Sequence, residues 1–242
     1  MNRIVRWSVP LLYEDLHNRI LRGQLRPGEA LSETKIAEQY GLSRTPIRQV
    51  FQRLAEVGFL SIVPQVGTFV APIDIGAIRD AQFMRETIEC GVARQAAEAA
   101  TPETARLLQG HLDAQMTAIS AGDHFGFFQS DEAMHRTMME IAGHPHIWGF
   151  LAPAKLQLDR LRYLSLESPD WLKMIFSQHE ALIARIAARD AEGAVSVMRE
   201  HLRTAFAAIE RIAQTHGEFF ADETPGPARM PPAEKGRRQR GW

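Results

Sequence analysis

The chain has 242 residues, 45% hydrophobic and 24% charged, which is the composition of a globular protein with a core of useful size. Its one cysteine, Cys90, excludes an internal disulfide and a cysteine-rich zinc site, and the lack of a long apolar run predicts a cytoplasmic protein without a membrane partner. Residues 1–73 hold nine Lys and Arg against six Asp and Glu, whereas residues 74–220 hold fourteen against twenty. A mildly basic N-terminal part followed by an acidic part is typical of a DNA-binding domain joined to a sensor domain.

The distribution of turn residues predicts three parts. Residues 1–72 carry Gly and Pro turn signals at short spacing, which indicates a small domain with short elements. Residues 74–217 are periodic and rich in Ala and Leu, which predicts an all-α bundle of six or seven helices. Residues 221–242 turn to Pro, Gly, Glu and Arg and are predicted to be a disordered tail. The fold class is therefore predicted to be mainly α.

The first part has the pattern of a winged helix-turn-helix. Helices are predicted over residues 11–21, from Ser32 or Glu33 to Tyr40, and over about 44–57. Ser43 suits the N-cap of the third helix, because a serine hydroxyl accepts the free amides there. Two short strands, at about 59–63 and 68–71, are joined by residues 64–67, and together they make the wing.

The third helix has two different faces. At 100° per residue Ile47, Val50, Phe51 and Leu54 form one apolar stripe, which is the packing face. Another face carries hydrogen-bond donors that a DNA groove can accept. It consists of Thr45, Arg48, Gln49 and Gln52, with Arg44 at its edge.

The second part places four polar residues within apolar stripes. Asp131 and His135 lie one turn apart in the stripe of a helix around residues 125–142. His179 lies in the stripe of a helix around 170–188, and His201 lies on the inward face of the last long helix. Unpaired polar groups in a core are costly, and convergence on one cation satisfies all four. One Asp and three His suit Zn, Ni, Fe or Mn, so a divalent transition metal is predicted.

Other residues of the bundle have less specific patterns. Arg85 points inward from the first helix of the bundle, where it either pairs with Glu89 one turn on or awaits an anionic ligand. Arg160 and Arg162 are further candidates to line the pocket, but the sequence gives no specific evidence for either. The methionines are predicted to be core residues, namely Met134, Met138, Met139 and Met174.

The first part resembles the winged helix of the GntR family of repressors. The resemblance lies in Leu25-Arg-Pro-Gly-Glu-Ala-Leu-Ser-Glu33, Gly41-Leu-Ser-Arg-Thr-Pro-Ile-Arg48 and Gly67-Thr-Phe-Val70. It implies a homodimer that binds a palindromic operator in double-stranded DNA, with Arg44 and Arg48 at guanine or phosphate. The full set of DNA-contact candidates is Thr34, Ser43, Arg44, Thr45, Arg48, Gln49, Gln65 and Gly67. Thr34 stands where some members carry an arginine.

The second part resembles the FadR-type subfamily with its FCD effector domain. The resemblance lies in the Asp131-x-x-x-His135 pattern, in His179 before an Ala-Leu-Ile run, and in Met198-Arg-Glu-His201. It implies that these four residues are metal ligands and that Arg85 faces the effector pocket. The remaining histidines do not match and are predicted to be surface or capping residues, namely His17, His111, His124, His144, His146 and His216.

These patterns together predict a transcription regulator, most simply a repressor, and not an enzyme. A small carboxylic or sugar acid is expected to bind beside the metal and to change the geometry of the dimer. Two alternatives stay open at this point. One is a metal-independent sensor of the acyl-CoA type, and the other is a metalloenzyme that activates water at the Asp/His site.

Overall fold

The computed structural model describes residues 7–166, 168–215 and 217–220. Three helices open the chain, each with a serine at its N-cap: α1 (Val9–Leu21), α2 (Glu33–Tyr40) and α3 (Arg44–Glu56). The hydroxyls of Ser8 and Ser32 accept backbone amides of the first turn, whereas the Ser43 side chain makes no such bond. Gly41 ends α2 with φ near +64°, a left-handed conformation that glycine adopts without strain.

A small antiparallel sheet completes the N-terminal part. Its strands are β1 (Ala30–Leu31), β2 (Leu60–Val63) and β3 (Gly67–Val70), in the spatial order β1-β3-β2. The hairpin of β2 and β3 is the predicted wing, with Leu60 opposite Val70. The prediction of two strands missed β1, because a strand of two residues is too short to show the alternation that identifies strands.

Seven helices follow within the described residues, in agreement with the predicted bundle. They are α4 (Ile75–Glu98), α5 (Pro102–Ala121), α6 (His124–Ile141), α7 (Ile147–Ala154), α8 (Leu156–Ser165), α9 (Pro169–Ala187) and α10 (Ala191–Thr215). Thr101, Asp123 and Ser168 cap three of these helices with their side chains. The fold class is therefore a winged helix-turn-helix followed by an all-α domain, as predicted.

Each part has its own apolar core. The N-terminal core forms where the inner faces of α1, α2 and α3 meet the sheet, with Leu16, Ile47 and Phe59 almost fully buried. The second core fills the helical bundle, and Met134 and Met138 are among its buried residues. Met139 is also buried, but Met174 is 37% exposed on α9, so its predicted core position is wrong. The domain limits at residues 72–74 remain a prediction.

The end of the described chain returns to the N-terminal part. A 3-10 turn, Gly217–Phe219, follows α10, and the carbonyl of Phe219 accepts the amide of Ile73 at 2.7 Å. Phe219 borders a small cavity with Leu21 of α1 and Leu164 of α8. The predicted tail, residues 221–242, and His216 lie outside the described residues. No helix of the described residues is both long and apolar enough to cross a membrane.

Candidate metal centre and DNA-binding face

The fold brings the four predicted ligand residues together inside the helical bundle. Helix α6 contributes two of them one turn apart, and α9 and α10 contribute one each. We call this group the Asp/His cluster, and its members are Asp131, His135, His179 and His201. All four are buried, and each offers one oxygen or nitrogen such that these atoms lie within 4.8 Å of one another.

The inner nitrogens of the histidines face the carboxylate of Asp131. Nε2 of His179 lies 3.1 Å from Oδ1 of Asp131, and Nε2 of His135 lies 3.8 Å from the same oxygen. Within the described part of the chain, neither nitrogen makes a hydrogen bond of good geometry. Buried polar atoms without a partner are rare because each costs free energy, and a shared cation is a direct way to satisfy both. The residues present therefore fit a divalent transition metal with nitrogen and oxygen ligands.

The outer nitrogen of each histidine has a polar partner. Nδ1 of His135 lies 2.5 Å from a carboxylate oxygen of Glu89 on α4, a close charged contact that does not meet hydrogen-bond geometry. Nδ1 of His179 lies 2.8 Å from the amide oxygen of Gln115 on α5, and Nδ1 of His201 lies 3.3 Å from that of Gln178 on α9. Because an acceptor at Nδ1 retains the proton there, it leaves Nε2 with its lone pair directed inward. Such partners set the tautomer and ring orientation of metal-binding histidines.

The environment favours the protonation states that a metal site requires. Burial lowers the pKa of His179, and in His201 burial together with His179 and His135 holds the pKa well below the ordinary value. Burial by itself would raise the pKa of Asp131, but Arg162 and His179 hold it well below its usual range. His179 and His201 are therefore neutral, and Asp131 is charged, at neutral pH.

Arg85 makes the contact that one of the two sequence interpretations anticipated. Its Nε donates to Oε1 of Glu89 at 2.6 Å, and both side chains are almost fully buried. Burial would raise the pKa of Glu89, but Arg85 and His135 lower it far below the usual range. Nη1 of Arg85 is buried and has no hydrogen-bond partner among the described residues. The pair with Glu89 therefore leaves one donor of Arg85 unused.

Arg162 on α8 contacts the Asp/His cluster directly. Its Nη2 donates to Oδ2 of Asp131, while Nη1 donates to Glu132 at 2.6 Å and to Asp159 at 2.7 Å. Lys155 donates to the same two carboxylates, Glu132 and Asp159. These charged side chains form a continuous network that begins at a candidate metal ligand and extends along α8. Because opposite charges alternate in it, the cost of burying them is partly offset.

A narrow cavity of about 20 Å³ adjoins the cluster. Asp131 and His201 form its polar wall with Arg162, and Trp171 and Leu166 contribute apolar surface. This volume has room for about one water molecule. Arg85 is not among the residues that line the cavity.

The predicted DNA-binding residues are exposed on the winged helix. Arg44 and Arg48 project from the first two turns of α3, with 61% and 59% of their side chains exposed. The other residues of the predicted set that project from α2 and α3 or flank them are likewise exposed, namely Thr34, Ser43, Thr45 and Gln49. At the wing, Gln65 has a left-handed φ of 64° and is exposed beside Gly67. No hydrogen bond uses the Ser43 hydroxyl to cap α3.

Glu33 on α2 holds both of these arginines in place. It accepts Nη2 of Arg44 at 3.0 Å, and both Nε and Nη2 of Arg48 at 3.0 Å. Hydrogen bonds from Arg48 and Arg44 lower the pKa of Glu33. Ion pairs this exposed contribute little to stability, so both guanidinium groups can exchange Glu33 for another anion at small cost.

Sequence reasoning missed several of the residues that complete these sites. The sequence indicated Glu89 only as a partner of Arg85, and it gave no specific evidence for Arg162. The residues that it did not indicate as part of these sites are Gln115, Gln178 and Glu33. Of these residues, only Glu89 could have been found from the sequence, because it lies one helical turn from the inward-facing Arg85. The other described histidines do not join the cluster. His111, for example, pairs with Thr137 at 2.9 Å, and His144 with Gln95 at 2.7 Å.

Comparison with protein families gives two matches that divide the chain. The model of the FCD domain matches residues 80–204. The model of bacterial regulatory proteins of the gntR family matches residues 11–70.

Similar proteins share this organisation along most of their length. The HTH-type transcriptional repressor RspR of Escherichia coli K12 is 31% identical over 212 residues, covering 88% of this chain and 93% of that protein. An HTH-type transcriptional regulator of Streptomyces ambofaciens is 35% identical over 212 residues, covering 88% and 89%. Among solved structures, E. coli McbR/YncC superposes with a TM-score of 0.71 at 22% identity, over 87% of this chain and 99% of that one. The chain therefore belongs to the GntR family of bacterial transcriptional regulators with an FCD domain, and it is a DNA-binding regulator rather than an enzyme.

Proposed function

We propose that the helical domain binds a divalent transition metal and, beside it, a small carboxylic or sugar acid that controls DNA binding. The observation that carries this proposal is the convergence of four buried donors in the Asp/His cluster, two of them imidazole nitrogens without a hydrogen bond of good geometry among the described residues. Zn, Ni, Fe and Mn all accept such a set of three nitrogens and one oxygen.

The residues around the cluster support an anionic effector. A cation held by these residues would supply positive charge at the cavity, which Asp131 and His201 line. Arg162 borders the same cavity with a guanidinium group, which binds a carboxylate through two parallel hydrogen bonds. Arg85 holds an unused donor deeper in the bundle, and it remains a second candidate for the effector. Glu89, Gln115 and Gln178 orient the three histidine rings and do not themselves face the ligand.

At the other end of the molecule, a homodimer is proposed to read a palindromic operator. Two copies of α3 would enter successive major grooves, with Arg44 and Arg48 at guanine or phosphate. Ser43 and Thr45 would hold phosphates, Thr34 and Gln49 would lie at the groove edges, and the wing would follow the minor groove. Because similar proteins are named as repressors, we infer that this chain represses as well.

The metal proposal is tested by metal content and thermal stability. Purified protein would be analysed for bound metal and then melted with a panel of organic and sugar acids, before and after treatment with a chelator. A ligand at one hundred times its Kd stabilises by roughly 2.7 kcal/mol, a readily measured shift in Tm. We expect one class of acid to raise the Tm only in protein that retains metal.

A matched pair of variants makes the assignment specific. His179→Ala removes a cluster ligand, whereas His111→Ala removes a half-buried histidine that pairs with Thr137. We expect loss of metal from the first variant and full metal content in the second. Full metal content in His179→Ala would refute the site. A Tm shift that survives chelation would indicate a metal-independent effector of the acyl-CoA type instead.

The DNA proposal is tested by selection from a random duplex library. The wild-type protein is expected to enrich a palindrome with two half-sites about one helical turn apart. Arg48→Ala is expected to lose this enrichment, and Arg106→Ala, on the exposed face of α5, is expected to retain it. Failure of the wild type to enrich any palindrome would contradict the dimeric reading mode.

A further inference from the structure

Helix α8 contacts both the Asp/His cluster and the winged helix. Towards its C-terminus, Arg162 donates to Asp131 of the cluster. Nearer its N-terminus, Gln157 donates to the backbone carbonyl of Gly58 at 2.5 Å, and Arg160 donates to that of Ala71 at 2.9 Å. Gly58 precedes strand β2 and Ala71 follows strand β3, so α8 holds the wing hairpin at both of its ends.

The contact between α8 and the wing includes a buried charge. Arg160 is 2% exposed, and burial lowers its pKa to about 10, so it remains cationic at neutral pH. Its neighbours are the Ala71 carbonyl, the amide oxygen of Gln157 at 3.3 Å and the ring of Phe59, with no carboxylate among the described residues. A buried cation balanced only by neutral groups contributes little net stability. The contacts of α8 with the wing are therefore polar and specific in geometry, and they fix the position of the hairpin relative to α8.

At the cluster end, Arg162 has two alternative sets of partners. The network contains two cations, Lys155 and Arg162, and three carboxylates, Asp131, Glu132 and Asp159. If the charge of Asp131 is engaged elsewhere, two cations and two carboxylates remain and balance one another. Arg162 can therefore give up Asp131 and keep Glu132 and Asp159. A packed side chain with two such arrangements is the kind of element on which switches are built.

The size of the cavity requires movement when a ligand enters. About 20 Å³ has room for one water molecule, and a carboxylic acid is larger. Arg162 and Ser165 of α8 line this cavity together with Asp131 and Phe128 of α6. A ligand between these helices must displace side chains of α8, move α8 away from α6, or both.

We propose that the ion pair between Arg162 and Asp131 senses ligand at the cluster, and that helix α8 transmits its state to the wing through Gln157 and Arg160. This inference rests on the proposed function for the occupant of the cavity. An anion in the cavity replaces Asp131 as the partner of Arg162, and α8 shifts against α6. The wing follows, because the carbonyls of Gly58 and Ala71 are bonded to the same helix. Ligand and DNA are then coupled by their different affinities for the two positions of α8.

The relay can be tested without a ligand by breaking the sensing contact. Hydrogen exchange with mass spectrometry would be measured on the full chain after chelation, in Asp131→Asn and in Arg162→Gln. We expect amides in residues 57–72 to exchange roughly fivefold faster in both variants, the factor that corresponds to about one neutral hydrogen bond. Arg94→Gln is the matched control, because Arg94 pairs with Glu192 between two other helices of the bundle. It should leave residues 57–72 unchanged.

The outcomes separate the relay from the metal proposal. Faster exchange confined to α6 and α8 in both variants, with residues 57–72 as in the wild type, would overturn the relay. Asn in place of Asp131 preserves the shape of the side chain, so this variant carries the test if Arg162→Gln fails to fold. Zinc titration of the wild type is the separate arm. If zinc does not bind while both variants alter residues 57–72, the metal proposal fails and the relay stands.

Discussion

Replacement of Glu89 by glutamine tests the buried charged contact between Glu89, Arg85 and His135. Glu89 is 1% exposed, and its two oxygens contact Nε of Arg85 at 2.6 Å and Nδ1 of His135 at 2.5 Å. The amide retains the shape of the side chain but removes the charge that balances Arg85. Removing one partner of a buried ion pair costs roughly 3–5 kcal/mol, because the other charge remains buried and uncompensated. We therefore expect Glu89→Gln to lose stability by this amount in metal-free protein.

A double variant separates the effect of the unbalanced charge on stability from the effect of losing the Glu89 carboxylate on zinc binding. Arg85→Met combined with Glu89→Gln leaves no uncompensated cation, and neutral replacements of buried pairs are often tolerated. We expect the double variant to recover most of the stability that Glu89→Gln loses. Zinc affinity should nevertheless fall about 10- to 100-fold in both, because His135 loses the carboxylate that orients its ring.

Urea unfolding followed by tryptophan fluorescence measures the stability, and competition with a chromophoric chelator measures the zinc affinity. Glu86→Gln serves as the control, since Glu86 lies on the same helix but pairs at the surface with Arg203. Its cost should stay below about 1 kcal/mol. If Glu89→Gln lies within about 1 kcal/mol of the wild type, or the double variant is no more stable than the single one, the charge argument is wrong.

Four further predictions concern the winged helix and its junction. Arg48→Ala should weaken binding to duplex DNA and reduce the salt dependence of the affinity by about one charge. Glu33→Gln should strengthen binding to duplexes of any sequence, because it frees the guanidinium groups of Arg44 and Arg48. Fluorescence anisotropy at two salt concentrations checks both. Burial lowers the pKa of His17, so the unfolded chain binds a proton more readily than the folded chain does. The free energy of unfolding therefore falls as the pH drops through about 6.5. His17→Gln should reduce the stability lost between pH 7 and pH 5.5 by up to about 1 kcal/mol in urea unfolding, and an unchanged loss would contradict this reasoning. Gly58→Ala should cost about 1 kcal/mol more than Gly41→Ala. Both positions have a left-handed φ, but only at Gly58 would the new methyl meet Gln157, at 2.9 Å, and equal costs would exclude a role for that contact.

The elements of this protein, and the faces of its helices, follow from the order of residues along the chain. The stripe through Ile47 and Leu54 predicted the buried side of α3, and Ser32 and Thr101 lie at helix starts because a hydroxyl satisfies the amides of the first turn. The same periodicity placed His179 inside the bundle. These signals are local, since they depend on neighbours within one or two turns, and a single sequence records them directly.

The partners of these side chains come from distant parts of the chain. Gln115 lies 64 residues from His179, and Arg162 lies 31 residues from Asp131, so no spacing along the sequence relates them. Helix packing alone decides which polar side chain meets which, because many inward polar groups satisfy the same local pattern. The two arginines illustrate the difference. Periodicity correctly placed Arg85 inside the bundle, but only the packed structure shows that Arg162 borders the cavity.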